Sequence, residues 1–95
     1  MIITGKVLVA NRPKDYYKIK DETILVAKNT LPDVVIIFYQ IKAIVTEIDN
    51  RLCHAAIIAR EYDKPIVMGV TGACKKFKTG DKVRIDTLNK TVIKI

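Results

Sequence analysis

The stretch Arg51-Leu52-Cys53-His54-Ala55-Ala56-Ile57-Ile58-Ala59-Arg60-Glu61 holds the single histidine of the chain. Small and apolar residues follow His54 at once and the run ends in charge, which predicts a helix beginning at the imidazole. The first turn of a helix leaves backbone N–H groups without intrahelical acceptors and carries the positive end of the macrodipole. Such a place favours an anion, phosphate above all. It also disfavours imidazolium, which keeps the histidine in its neutral, nucleophilic form. A phosphoryl group carried on His54 suits both conditions. A capping or half-buried polar histidine fits the same position without any chemistry, and position alone leaves both readings open.

The remaining reactive residues add little by themselves. Cys53 and Cys74 do not form a disulfide framework. Together with His54 they do not make a closed zinc spacing, so no metal is expected on this domain. A Cys53–His54 nucleophile–base pair is disfavoured, because adjacent side chains on a helical turn point apart; Cys53 reads better as a small buried residue. The sequence has neither a glycine-rich phosphate loop with a lysine nor an evident carboxylate cluster for magnesium. Any donor and acceptor sites are therefore expected on other domains or chains.

At 95 residues and 49% hydrophobic, the chain is expected to be one domain, residues 1–95, with a modest core. Its longest apolar run, Val34 to Tyr39, is far too short to span a membrane. Met1 to Lys6 lacks the basic-then-apolar layout of a secretory signal. A soluble, cytoplasmic protein is the expectation, and Met1 fits either a complete gene product or an excised domain. The net charge of +7 raises nucleic acid as a partner. No nucleic-acid-binding signature accompanies it, and Tyr16, Tyr17, Phe38, Tyr39, Tyr62 and Phe77 form no stacking motif. A solvated lysine-rich surface, attractive to phosphate-bearing ligands or acidic partner domains, accounts for the charge.

Strands are expected at Gly5–Ala10, Thr23–Ala27, Ala43–Glu47, Ile66–Met68, Lys82–Asp86 and Thr91–Ile95, the last two as a hairpin. Asn11 to Asp21 reads as a loop. His54 to Tyr62 reads as a helix with Ala55, Ile58 and Ala59 inward and Arg60, Glu61 and Asp63 in solvent. Thr71 to Phe77 reads as a short helix capped by Thr71. For Pro32 to Ile41, proline at a helix start favours a helix, while the β-branched run Val34 to Tyr39 favours a strand. The alternation implies a layered α/β structure.

Several ordered segments then carry a resemblance. Ile24-Leu25-Val26-Ala27, Thr30-Leu31-Pro32-Asp33 and Ala43-Ile44-Val45-Thr46 are followed by Cys53-His54-Ala55-Ala56-Ile57-Ile58-Ala59-Arg60-Glu61. Lys64-Pro65-Ile66-Val67-Met68-Gly69 and Gly80-Asp81 complete the series. In order and spacing, residues 24 to 81 resemble the phosphohistidine, or swivelling, mobile domain of the PEP-utilising enzymes. That family includes phosphoenolpyruvate synthase, pyruvate phosphate dikinase and enzyme I of the sugar phosphotransferase system. The Arg51-Leu52-Cys53-His54 form looks closest to the phosphoenolpyruvate synthase branch.

The resemblance implies a swivelling β/β/α three-layer domain and a helix over Pro32 to Ile41. It implies that His54 is transiently phosphorylated, with Arg51, Cys53 and the backbone N–H groups of Ala55 and Ala56 around the phosphoryl group. It further implies two partners on another chain or the parent protein: a nucleotide-binding domain, which would hold ATP and magnesium, and a phosphoenolpyruvate/pyruvate barrel. Asp49-Asn50 stands where the family has Gly-Gly, and Leu52 where it has threonine. Glycines there would let the backbone approach the phosphate, and a threonine hydroxyl would bond its oxygens. Arg51 is placed to compensate as a charge-assisted donor. A non-catalytic swivel module, used for interaction or regulation, is the alternative these departures suggest.

Overall fold

Six short runs of β-branched and aliphatic residues pair into one mixed sheet in the computed structural model, which describes residues 2–20, 22–29, 37–49 and 54–95. The strands are β1 (Ile2–Val9), β2 (Thr23–Ala27), β3 (Ile41–Thr46), β4 (Ile66–Val67), β5 (Lys82–Asp86) and β6 (Thr91–Lys94). Their order across the sheet is β4-β3-β2-β1-β5-β6. β1 to β4 are parallel to one another, while β5 runs antiparallel to β1 and to β6. Every residue of β2 is buried, as expected of a parallel strand covered on both faces.

Side-chain alternation divides the core in two. Val7, Ile24, Val26, Ala43 and Val45 point to one side; Leu8, Leu25 and Ile44 point to the other. The first cluster also takes Val67 from one edge strand, Val83 and Ile85 from β5, and half-buried Val92 from the opposite edge strand. The sheet therefore curls until its two edges share one core, forming two facing β layers. The second cluster is covered by Tyr16 and Ile37, which come from short helical segments. This is the α/β architecture with β/β/α layering that the sequence implies.

β3 carries one extra residue. Thr23 pairs with Ile41 but Ile24 pairs with Ala43, so Lys42 is bulged out of the ladder. The bulge lets Ile41 join Ile44 on the outer face while Ala43 faces inward.

Gly5 sits where β1 passes close to β2. A Cβ there would lie 2.9 Å from the Glu22 carbonyl oxygen and 3.2 Å from the Ile24 side chain. Because backbone cannot yield as a flexible side chain can, Gly5→Ala is expected to destabilise the fold by about 1–3 kcal/mol in urea unfolding. An unchanged midpoint would mean that β1 and β2 can separate at no cost.

Two sequence expectations need correction. Asn11 to Asp21, read as a loop, contains a 3-10 helix at Pro13–Lys18. Asp15 organises its start by accepting from the backbone N–H groups of Asn11 (3.3 Å) and Arg12 (3.2 Å). The helix expected over Pro32 to Ile41 lies largely outside the described residues; residues 37–40 form a 3-10 turn and β3 already begins at Ile41.

Candidate functional site

The parallel strands end together, and their carboxyl ends lie beside the loops that could carry chemistry. The chain leaves β3 at Thr46, whose buried hydroxyl donates to the Ile48 carbonyl at 2.7 Å. Glu47 and Ile48 donate their N–H groups to the carbonyls of Ala27, the last residue of β2, and Lys28. The Val70 N–H returns from beyond β4 to the Thr46 carbonyl at 3.0 Å. These bonds fix residues 46–48, where the chain leaves β3.

Helix α1 (His54–Glu61) has the histidine as its first described residue. Ala56 and Ala59 are buried, Ile58 is half-buried, and Ile57, Arg60 and Glu61 face solvent. The helix stops in a Schellman motif: Asp63 adopts φ 57°, Lys64 N–H reaches the Ala59 carbonyl at 2.8 Å, and Asp63 N–H reaches that of Arg60. The Tyr62 ring then meets Phe38 at 6.1 Å between centroids, tying the end of α1 to the outer layer. Length and seating thus both orient α1, leaving its first-turn N–H groups at the His54 end.

Ala56 shares a surface depression with Asp49, Arg60, Met68 and Lys90. Asp49 also packs beside Gly69, whose φ of 78° turns the chain out of β4; the closest approach to a Cβ built there is 3.5 Å. Asp49, where the resemblance expects a glycine, therefore sets an acidic residue in the lining it shares with Ala56 of α1. Arg60 and Lys90 line the same depression with positive charge. Of the other expected site residues, Arg51 and Cys53 lie outside the described residues, and Ala55 is placed in the first turn of α1.

A second polar group at this end of the strands is not evident from the sequence. The short helix α2 (Ala73–Lys76) is preceded by Gly72 in a left-handed conformation, not capped by Thr71 as expected. Its exposed N–H at Cys74 is instead satisfied by Glu47 Oε2 at 3.0 Å, a cap supplied from across the fold. The Cys74 thiol faces Asn11 Nδ2 at 3.8 Å, and Asn11 Oδ1 accepts from the Lys28 N–H at 2.7 Å. Asn11 and Cys74 are 63 residues apart, and Glu47 and Cys74 are 27 apart. No local motif links them. The one available signal is the acidic residue closing the expected Ala43–Glu47 strand.

The Cys74 N–H first, and its thiol second, hold the Glu47 carboxyl below the usual glutamate range. Burial, and then the Glu47 contact, push the Cys74 thiol up, so Cys74 stays a protonated structural thiol. Because Glu47 is more acidic folded than unfolded, its stabilising effect is complete above the unfolded glutamate range. The effect drains away as pH falls through the lowered folded value. Glu47→Gln is expected to lower the Tm at neutral pH, with the gap to the parent closing toward acid. Parallel melting curves across that range would overturn the assignment.

A curled α/β sheet with parallel strands whose carboxyl ends lie beside α1 has the architecture of a swivelling domain. Residues 19–90 match the family described as "PEP-utilising enzyme, mobile domain", and the chain belongs to that family. It is 42% identical over 82 residues to the phosphoenolpyruvate synthase of Pyrococcus furiosus, an alignment covering 86% of this chain and 10% of that protein. It is 38% identical over 84 residues to the rifampicin phosphotransferase of Bacillus subtilis, covering 88% and 10%. A solution structure of Enzyme I superposes with a TM-score of 0.69 at 26% identity, over 83% of this chain and 33% of that one. The chain therefore spans about a tenth of the length of these curated relatives. The relatives are larger proteins in which the matching segment is one part. None of the described helices is long and apolar enough to cross a membrane.

Proposed function

We propose that this chain is a phosphoryl carrier that works through His54. The observation that carries the reading is the place of His54 on α1, on the carboxyl side of the parallel strands, in a chain of the PEP-utilising mobile-domain family. An imidazole nitrogen attacks the phosphorus of a donor, the N–P bond forms, and the bond from phosphorus to the leaving oxygen breaks. Backbone N–H groups of Ala55 and Ala56, with the guanidinium of Arg51 and the weak thiol donor of Cys53, hold the phosphoryl oxygens. An acceptor oxygen then takes the phosphoryl group and restores neutral His54.

The helix end contributes about 0.3–1 kcal/mol if exposed and up to ~2 kcal/mol if partly buried, too little to drive the transfer. Positioning and charge neutralisation must come from partners. A nucleotide-binding domain holding ATP and magnesium would supply the phosphoryl group, and a phosphoenolpyruvate/pyruvate barrel would exchange it. Both would belong to a parent protein or to separate chains in the cytoplasm.

The test is the peptide map of the protein purified from its native cells at alkaline pH, which preserves phosphoramidates. Cleavage after Arg51 and Arg60 isolates a peptide with His54 as its histidine. An acid-labile phosphoryl group on it supports the carrier. If none forms even with phosphoenolpyruvate or ATP and native extract, Asp49-Asn50 and Leu52 have removed the chemistry, and the domain is a non-catalytic swivel module.

A further inference from the structure

We propose that the lysine-lined groove at the amino ends of the parallel strands docks an acidic segment of a protein partner. The groove has a volume of about 770 Å³ and lies along β1 from Thr4 to Leu8, bounded by the first residues of β2 and β3 and by β5. It faces away from the strand ends beside which α1 begins.

Strand register concentrates its charge. Lys6 on β1 pairs directly with Lys82 on β5, and on its other side with Thr23 on β2. Like charges directly opposite each other weaken a sheet, and nothing in the packing requires this pair. The bulge in β3 adds Lys42 to the lining, its Nζ donating to the Thr4 carbonyl at 2.8 Å. Lys18 and Lys20 join from the end of the 3-10 helix. Against these five ammonium groups, Glu22 is the sole carboxylate among the described lining residues. Among the described residues, Lys6, Lys18, Lys20 and Lys82 have no ion-pair partner.

The lining also selects the kind of anion. It contains no arginine, so it lacks the planar fork suited to bidentate phosphate recognition. Of its hydroxyls, that of Thr23 is engaged as a donor to the Lys20 carbonyl at 2.6 Å, and that of Thr79 accepts from the Val9 N–H at 3.1 Å. No described aromatic lines it, so bases have nothing to stack on. Flexible point charges spread along an open groove match carboxylates distributed along a polypeptide. The relatives of this chain are about ten times longer, so further polypeptide accompanies the matching segment in them. Docking here would restrain the domain while leaving the start of α1 exposed to a second partner.

The experiment titrates the isotope-labelled chain with an oligoglutamate peptide at low salt and follows the backbone amides. Shifts are expected at Lys6, Lys18, Lys20, Lys42 and Lys82, weakening as ionic strength rises. Lys6→Glu with Lys82→Glu is expected to reduce affinity about tenfold or more, while Lys75→Glu with Lys76→Glu on α2 changes it less than about twofold. Lys6→Arg with Lys82→Arg should bind as the parent does. If the strand variant fails to fold, Lys18→Glu with Lys20→Glu gives the same readout from outside the sheet. Equal losses in the groove and α2 variants would overturn the proposal, since overall charge would then explain binding. Absence of shifts at the groove, or tighter binding there of inorganic triphosphate or a single-stranded oligonucleotide, would overturn it as well.

Discussion

His54→Ala is expected to abolish the acid-labile phosphoryl label completely while leaving the helix in place. Alanine is the best helix former, so a substitution at the first position of α1 should not disturb residues 55 to 61. Far-ultraviolet circular dichroism and Tm should match the parent closely, and that match separates lost chemistry from lost structure. His54→Gln sharpens the test: it keeps a polar side chain of similar reach but has no imidazole nitrogen to form the N–P bond. Retention of label in either variant would move the phosphoryl group to another residue and end the carrier reading. Loss of label with a collapsed Tm would instead assign His54 a capping role.

Leu25→Ala is expected to cost about 3 kcal/mol and to lower the Tm by about 12 °C or more. Leu25 is fully buried at the centre of the outer core. Its register partners are Leu8 on β1 and Ile44 on β3, so truncation leaves a void flanked by two strands. Those strands are held in their own ladders and cannot collapse into it. Leu25→Met, which conserves volume, should cost less than about 1.5 kcal/mol. Chemical denaturation of both variants decides the matter. A loss under about 1 kcal/mol for the alanine variant would mean that the helical layer closes over the gap.

The strands were readable because burial wrote itself into composition. Ile24 to Ala27 and Ala43 to Val45 are apolar on both faces, which is what a central parallel strand requires. The 3-10 helix at Pro13–Lys18 escaped because six residues at about three per turn show no amphipathic period. Its signature was Asp15 placed to bond the N–H groups of Asn11 and Arg12. Thr71 looked like the cap of α2 because capping is usually local. The acceptor came instead from Glu47, and no pattern in a linear chain encodes a partner that only the fold brings near. That a helix runs on from His54 was legible for the opposite reason: the small and apolar residues that favour it are adjacent in sequence.

The placement of β1 also bears on how the protein is made. One of its edges is covered by β2, which follows soon after; the other is covered by β5, with Ile2 against Asp86 and Lys6 against Lys82. A ribosome delivers β1 before the other five strands and supplies its second neighbour, β5, only after β4. During that interval the nascent domain carries an unpaired strand edge, the element most prone to associate with other chains. Closing the long loop is slow relative to local pairing. Completion of the sheet therefore waits until β5 has been made.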